Sequence, residues 1–229
     1  NNAQAQAYAT DVIENGPFVL VPNYGDIFDS EDNAEIIFEV DFTINDQSGL
    51  GSASDPTTPG QKFYLSAEAY NALQASAQNG DERFEATTLQ VGTRRRLVKY
   101  SDIVNNADDV PVIRLAEMYL IRAEAIARQG VATAAASEQV ISDINMIRTR
   151  AGLPPVSGLT NAQALTEILE QRRLEFVGEG LRFIDLKRYN LLCEELGFCP
   201  EDNAEFRALW PIPLQQLEVN PNLKKNPGY

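Results

Sequence analysis

The sequence predicts a mainly α fold of tetratricopeptide-like helical hairpins, an α-solenoid, with a loop-rich region containing a few short strands. Three observations carry this. Residues 111–129 and 134–151 each show an apolar stripe at helical spacing and are joined by a short link containing Gly130. Residues 160–178 and 181–192 repeat the arrangement around Gly180. Ahead of them, residues 1–109 hold only short patterned segments between stretches rich in Gly, Ser, Pro and Asp. A generic helical bundle is the competing architecture.

Residues 3–15 place Ala5, Tyr8, Ala9, Val12 and Ile13 at helical spacing and stop at Gly16-Pro17. EIIFEVDFTI, residues 35–44, puts Ile36, Phe38, Val40, Phe42 and Ile44 on one face and Glu35, Glu39, Asp41 and Thr43 on the other, the period of a half-buried strand. NDQSGLGSASDPTTPG, 45–60, has the composition of a long surface loop. Ser66 is placed to cap a helix running to about Gln78. Residues 84–91 and 95–100 suggest a hairpin around Gly92-Thr93, with Arg94, Arg95 and Arg96 beside the turn. Those arginines read as an anion site or, on so acidic a chain, as partners of local carboxylates.

PVIRLAEMYLIRAEAIARQ starts at Pro111, suited to a first helical turn, and puts Val112, Leu115, Ala116, Tyr119, Leu120, Ala123, Ile126 and Ala127 on one face. Small residues at 116, 123 and 127 allow close helix approach. The next helix turns Val140, Ile144, Ile147 and Ala151 inward and ends at Gly152 and Pro154-Pro155. Thr160 with Gln163 has capping-box spacing at the start of the third, and LRFIDLKRYNLL reads as the fourth.

Composition narrows the chemistry. Among 229 residues there is no histidine, which removes His-based nucleophile pairs and His metal ligands. Asp and Glu number 33 against 19 Lys and Arg, net −14, so bare nucleic acid is not an expected partner. The imbalance is local: residues 1–109 carry 18 acids and 6 bases, net −12, and residues 110–229 carry 15 and 13, net −2. The organisation expected is therefore an acidic, loop-rich region over 1–109 and a tetratricopeptide-like helical region over 110–229. Asp26, Asp29, Glu31 and Asp32 form the densest acidic cluster but lack the spacing of a calcium loop, and no metal or cofactor is expected. Cys193 and Cys199 are close enough in sequence to pair in an oxidising compartment, or are two free structural thiols.

Glu175 and Glu179 share a helix face and could form a glycosidase's carboxylate pair. Arginines within a turn of each carboxylate between 172 and 188 favour structural ion pairing over catalysis. Trp210, in ALWPIP, is either a sugar platform or, as its apolar neighbours favour, a packed anchor.

The strings VIRLAEMYLIRAEAIARQG, INMIRTRAGLP, QRRLEFVGEGLRFIDLKRY and WPIPLQQLEVNPNLKKNPGY together resemble the C-terminal half of the SusD/RagB family of outer-membrane nutrient-binding lipoproteins. AYATDVIENGPFVLVPNYGDIF and NAEIIFEV are similar to the family's middle. Departures are Gln171 for Glu, Gly178 for an aromatic, Leu181 for His and Tyr189 for Trp, changes expected to soften packing. The resemblance implies a fragment of one SusD-like domain, whose signal, lipid-modified cysteine and first tetratricopeptide helices belong to a missing N-terminal half. It implies a lipid-anchored binding protein at the cell surface and not an enzyme. Its partners would be an oligosaccharide or polysaccharide, or in some members a peptide, and a SusC-like TonB-dependent transporter, besides its own N-terminal half. A protein-interaction scaffold is the alternative. Within this chain the aromatic and polar segment from Phe42 to Tyr64 best suits a sugar, with Asn45, Asp46, Gln47 and Tyr64 as candidate ligand-binding residues.

Overall fold

Asn1 starts α1, Asn2–Asn15, by accepting the Gln4 amide through its side chain. This helix opens the computed structural model, which describes residues 1–28, 33–59, 63–130, 137–196 and 208–229. The helical turn Tyr24–Ile27 follows, and then β1, Ile36–Val40. The expected strand is thus half as long, and its faces are reversed: Phe38 is 54% and Val40 42% exposed, whereas Glu35 is fully buried. Two register irregularities break the alternation, and an ion cluster, not an apolar core, lies behind Glu35.

The loop expected over 45–60 contains a helix, α2, Leu50–Ser54. Ser66 caps α3, Ala67–Ala77, as expected, accepting from the Ala69 amide. A short helix, α4, Arg83–Thr87, replaces the first half of the expected hairpin strand. The hairpin itself is β2, Thr88–Val91, against β3, Arg94–Leu97, with Gly92 supplying φ +59° in the two-residue turn.

Residues 110–114 form a strand, β4, antiparallel to β1, and not the first turn of a helix. Pro111 fits there because the sheet has only two strands, where a missing N–H costs little. The helix α5 therefore begins at Leu115 and runs to Arg128; α6 is Glu138–Arg150 and α7 Asn161–Glu175. The start expected for α6 at 134 lies outside the described residues. Thr160 and Gln163 close the capping box at α7. α5 packs against α1, α6 and α7, with Ala116, Leu120 and Ala123 fully buried and Val140, Ile144 and Ile147 of α6 sealed equally. Arg122 grips Asp143 through two hydrogen bonds of 2.8 and 2.7 Å, joining α5 to α6. The expected mainly helical fold with short strands is what the chain adopts.

Contacts divide the described chain into two compact units, Asn1–Glu179 and Gly180–Tyr229. In the second, α8 spans only Arg182–Arg188, because Asn190 turns to φ +58°, and α9, Leu192–Leu196, and α10, Leu214–Val219, follow. Cys193 on α9 is disulfide-bonded, and Cys199 lies outside the described residues. Trp210 is 82% exposed and not a packed anchor; its carbonyl accepts from Asn226 Nδ2 while its ring faces solvent.

A buried ion cluster holds the first unit. Arg83, Lys99, Arg114 and Arg150 supply four cations, and Glu35, Asp81, Glu175 and Glu179 four carboxylates. Arg114 reaches Glu35, Glu175 and Glu179 at 2.7, 3.0 and 2.9 Å. Arg150 bridges Glu35, at 2.9 Å, and Glu175. Lys99 Nζ donates to Glu179 at 2.5 Å and to the Glu175 carbonyl at 2.9 Å, which also accepts the Tyr24 hydroxyl. Charges this deep are tolerable only because each is paired and hydrogen-bonded. The arginines expected from within residues 172–188 do not serve Glu175 and Glu179. Their partners come from distant parts of the chain, while Arg172 goes to Glu117 and Arg182 to Glu195.

Burial alone would raise the Glu175 carboxyl, but Arg150, Arg114, Arg83 and Lys99 outweigh it and bring it down to about 2. The same balance of burial against Arg114 and Lys99 lowers Glu179. Burial pushes Glu35 the other way, against Arg150 and Arg114, so its protonation offsets part of the effect. A carboxyl that titrates lower in the folded chain contributes stability that is complete above its ordinary range, near 4.5, and lost as pH falls through the folded value. Urea midpoints should accordingly decline steadily from about pH 4.5 to about pH 2, a stretch that Glu175→Gln flattens.

Candidate functional site

The segment leading into α3 and the β2–β3 hairpin enclose a cleft of about 600 Å³, a size suited to a small ligand. Tyr64, Tyr70, Asn71, Gln90, Arg94 and Arg95 line it. Two of its lining residues, Leu65 and Tyr70, pack against a core cluster of Leu73, Phe84 and Leu174. Tyr70 meets Phe84 edge to face at 5.5 Å, so the aromatic wall is fixed by packing behind it.

Hairpin register brings Gln90 opposite Arg95 and Val91 opposite Arg94. The Gln90 amide donates to the Gly92 carbonyl at 2.8 Å, closing the turn. The Arg95 guanidinium lies 4.2 Å from the Phe84 ring centre and 5.6 Å from that of Tyr70, and Nη1 donates to Thr88 Oγ1 at 2.7 Å. Stacking on two rings orients the cation at small entropic cost. Arg96 points elsewhere: it is buried, donates to the Tyr100 and Ser101 carbonyls, and faces Asp55 at 3.6 Å. Of the three consecutive arginines, one therefore answers a local carboxylate away from the cleft and the other two line it.

Of the four candidate glycan-binding residues, Asn45, Asp46, Gln47 and Tyr64, the described lining of the cleft includes Tyr64. Its ring is 73% exposed. Asn45, Asp46 and Gln47 are exposed on a tight turn in which Thr43 and Asp46 exchange backbone hydrogen bonds of 2.9 Å, and they are not among the lining residues. Gln47 Nε2 spends a hydrogen bond on the Ile44 carbonyl of the same turn. Tyr70, Asn71 and Gln90 are not legible as site residues in the sequence; the run of arginines at 94–96 is the signal that points to this hairpin.

Glu39, Asp41 and Asp109 bring one carboxylate oxygen each within 4.8 Å of one another, and Asp109 already accepts the Phe42 amide at 2.6 Å. Of the acidic run near residue 26, Asp29, Glu31 and Asp32 lie outside the described residues, while Asp26 accepts from Asn23 Nδ2. Glu175 and Glu179 are sealed and held ionised, so neither is placed to protonate a leaving group. Among the described residues no helix is long and apolar enough to cross a membrane.

Comparison with known proteins gives a consistent set of relatives. The model of the SusD family matches residues 57–205. SusD-like protein P38 of Formosa agariphila is 32% identical over 173 residues, 68% of this chain and 33% of the relative. Starch-binding protein SusD of Bacteroides thetaiotaomicron is 34% identical over 131 residues, 53% of this chain and 22% of the relative. Among solved structures, a laminarin-binding SusD-like protein superposes on all of this chain and on 59% of its own, with a TM-score of 0.82 and 26% identity. The chain thus spans less than two thirds of each.

Proposed function

The chain belongs to the SusD family, and from that premise we propose that it captures an oligosaccharide in the Tyr64 cleft, without catalysing a reaction on it, and passes it to a TonB-dependent transporter at the outer-membrane surface. The observation that carries this reading is an exposed aromatic ring beside amide and guanidinium donors in one cleft. A pyranose presents an apolar face and a rim of hydroxyls, and Tyr64 with Asn71, Gln90 and the two arginines matches both. The relatives whose names include starch or laminarin binding support the same class of ligand. We propose further that the rest of a longer protein covers apolar side chains such as Tyr8, Phe38 and Val40, which stand exposed here.

Calorimetric titration with a panel of purified neutral and acidic hexasaccharides tests the capture step. Tyr64→Ala should weaken whichever member binds by about tenfold, the loss of roughly 1–1.5 kcal/mol of stacking, and Tyr64→Phe should retain most of the affinity. The reading fails if no member binds, or if binding is indifferent to Tyr64→Ala.

A further inference from the structure

Most of the described arginines pair with a carboxylate, and Arg95 does not. The buried ones, Arg83, Arg96, Arg114, Arg122 and Arg172, each face a carboxylate. Those nearer the surface, such as Arg128, Arg148 and Arg182, do the same. Arg95 has a hydroxyl, Thr88 Oγ1, and two aromatic rings; its Nε is buried with no partner, and no carboxylate among the described residues pairs with it. In a chain with 33 acids for 19 bases, a half-buried arginine without an acid beside it is the exception. Its neighbour Arg94 lines the same cleft, and none of the described lining residues carries a carboxylate.

We propose that this cleft selects an oligosaccharide bearing an anionic group, a uronate carboxylate or a sulfate, which Arg94 and Arg95 hold while Tyr64 stacks on a sugar ring. The proposal rests on the glycan-capture reading above and names its substrate class. A neutral sugar can be recognised by amides alone, whereas the planar fork of a guanidinium matches two oxygens of a carboxylate or sulfate and forms the stronger, charge-assisted bonds. The rings of Phe84 and Tyr70 hold Arg95 in place before the ligand arrives. An anionic glycan meets repulsion over the rest of a region of net −12, so cations concentrated in the cleft also determine where on this surface it docks.

The test titrates the full chain, Arg94→Gln and Arg95→Gln with four probes: hexagalacturonic acid, its fully methyl-esterified form, a sulfated carrageenan hexasaccharide and laminarihexaose. An anionic probe should bind at least about tenfold more tightly than the neutral ones, a preference that shrinks in 0.5 M salt and in either variant. Preference for the galacturonide assigns the group as a carboxylate, and preference for the carrageenan as a sulfate. Arg94 is exposed at the turn, so its variant carries the test even if loss of Arg95 unfolds the hairpin. If the ester or laminarihexaose binds as tightly as the anionic probes, with Tyr64-dependent affinity, anion selection is overturned and glycan capture stands. If none of the four binds, both fall.

Discussion

Glu175→Ala is expected to destabilise the chain by about 3–5 kcal/mol, the cost of leaving a buried charge without its partner. The carboxylate is fully buried and receives Arg83, Arg114 and Arg150. Its removal leaves four cations facing three carboxylates in a space that water does not reach. For a protein of this size the loss amounts to roughly 10 °C in melting temperature. A built-in comparison is Glu195→Ala, which breaks the surface pair of Arg182 and Glu195 and should cost less than about 1 kcal/mol. Urea and thermal melts followed by circular dichroism separate the two. Equal costs would mean that the cluster is solvated in solution and that Glu175 is not what joins α7 to β4 and α6.

The second large effect is expected at Gly178. Its φ is +81°, and a Cβ built there would lie 2.3 Å from Leu97 Cδ2. Leu97 is itself buried on β3, so its side chain must repack within the interior to make room. Gly178→Ala should therefore cost about 1–2 kcal/mol for the backbone conformation and a further 1–3 kcal/mol for overpacking. The two parts can be told apart by a double-mutant cycle: in a Leu97→Ala background only the backbone part should remain. Independent, additive costs would show that Leu97 moves aside freely. The resemblance to the family suggests loosened packing at 178, where an aromatic is common. Instead the glycine lets the turn after α7 lie directly against the hairpin that walls the cleft.

How much of this is legible in the sequence depends on where each signal originates. The helices α1, α3, α6 and α7 are readable because each is marked within a single segment by an apolar stripe, a capping side chain or a terminating glycine or proline. β4 is not, because Pro111 is equally good in a first helical turn and in an edge strand, and only the presence of β1 alongside decides between them. The strand around Phe38 turns its faces opposite to the expected sense for a related reason. Alternation shows that two faces differ, and assigning the apolar one inward assumes an apolar core behind it.

That assumption fails where the interior is ionic. Glu35, Arg83, Arg114, Arg150 and Glu175 are far apart in sequence, and each looks locally like a solvated charge or half of a helical pair. In the same way Tyr64 is singled out by its aromatic character, but its partners Tyr70, Asn71, Gln90 and Arg95 belong to a helix and a hairpin. The turn carrying Asn45, Asp46 and Gln47 is linked to Tyr64 only along the chain, not in the lining of the cleft.

The sequence by itself determined the helical class, a chain without histidine, the acidity of the first half and, through several matched strings, the family. Tertiary structure alone decided which charges are buried, which carboxylate each buried arginine meets and which two arginines line the cleft. The physical reason is that propensity, capping and periodicity act over a few residues. Desolvation and Coulomb pairing instead depend on what the folded chain brings within a few ångströms, and no local pattern encodes that.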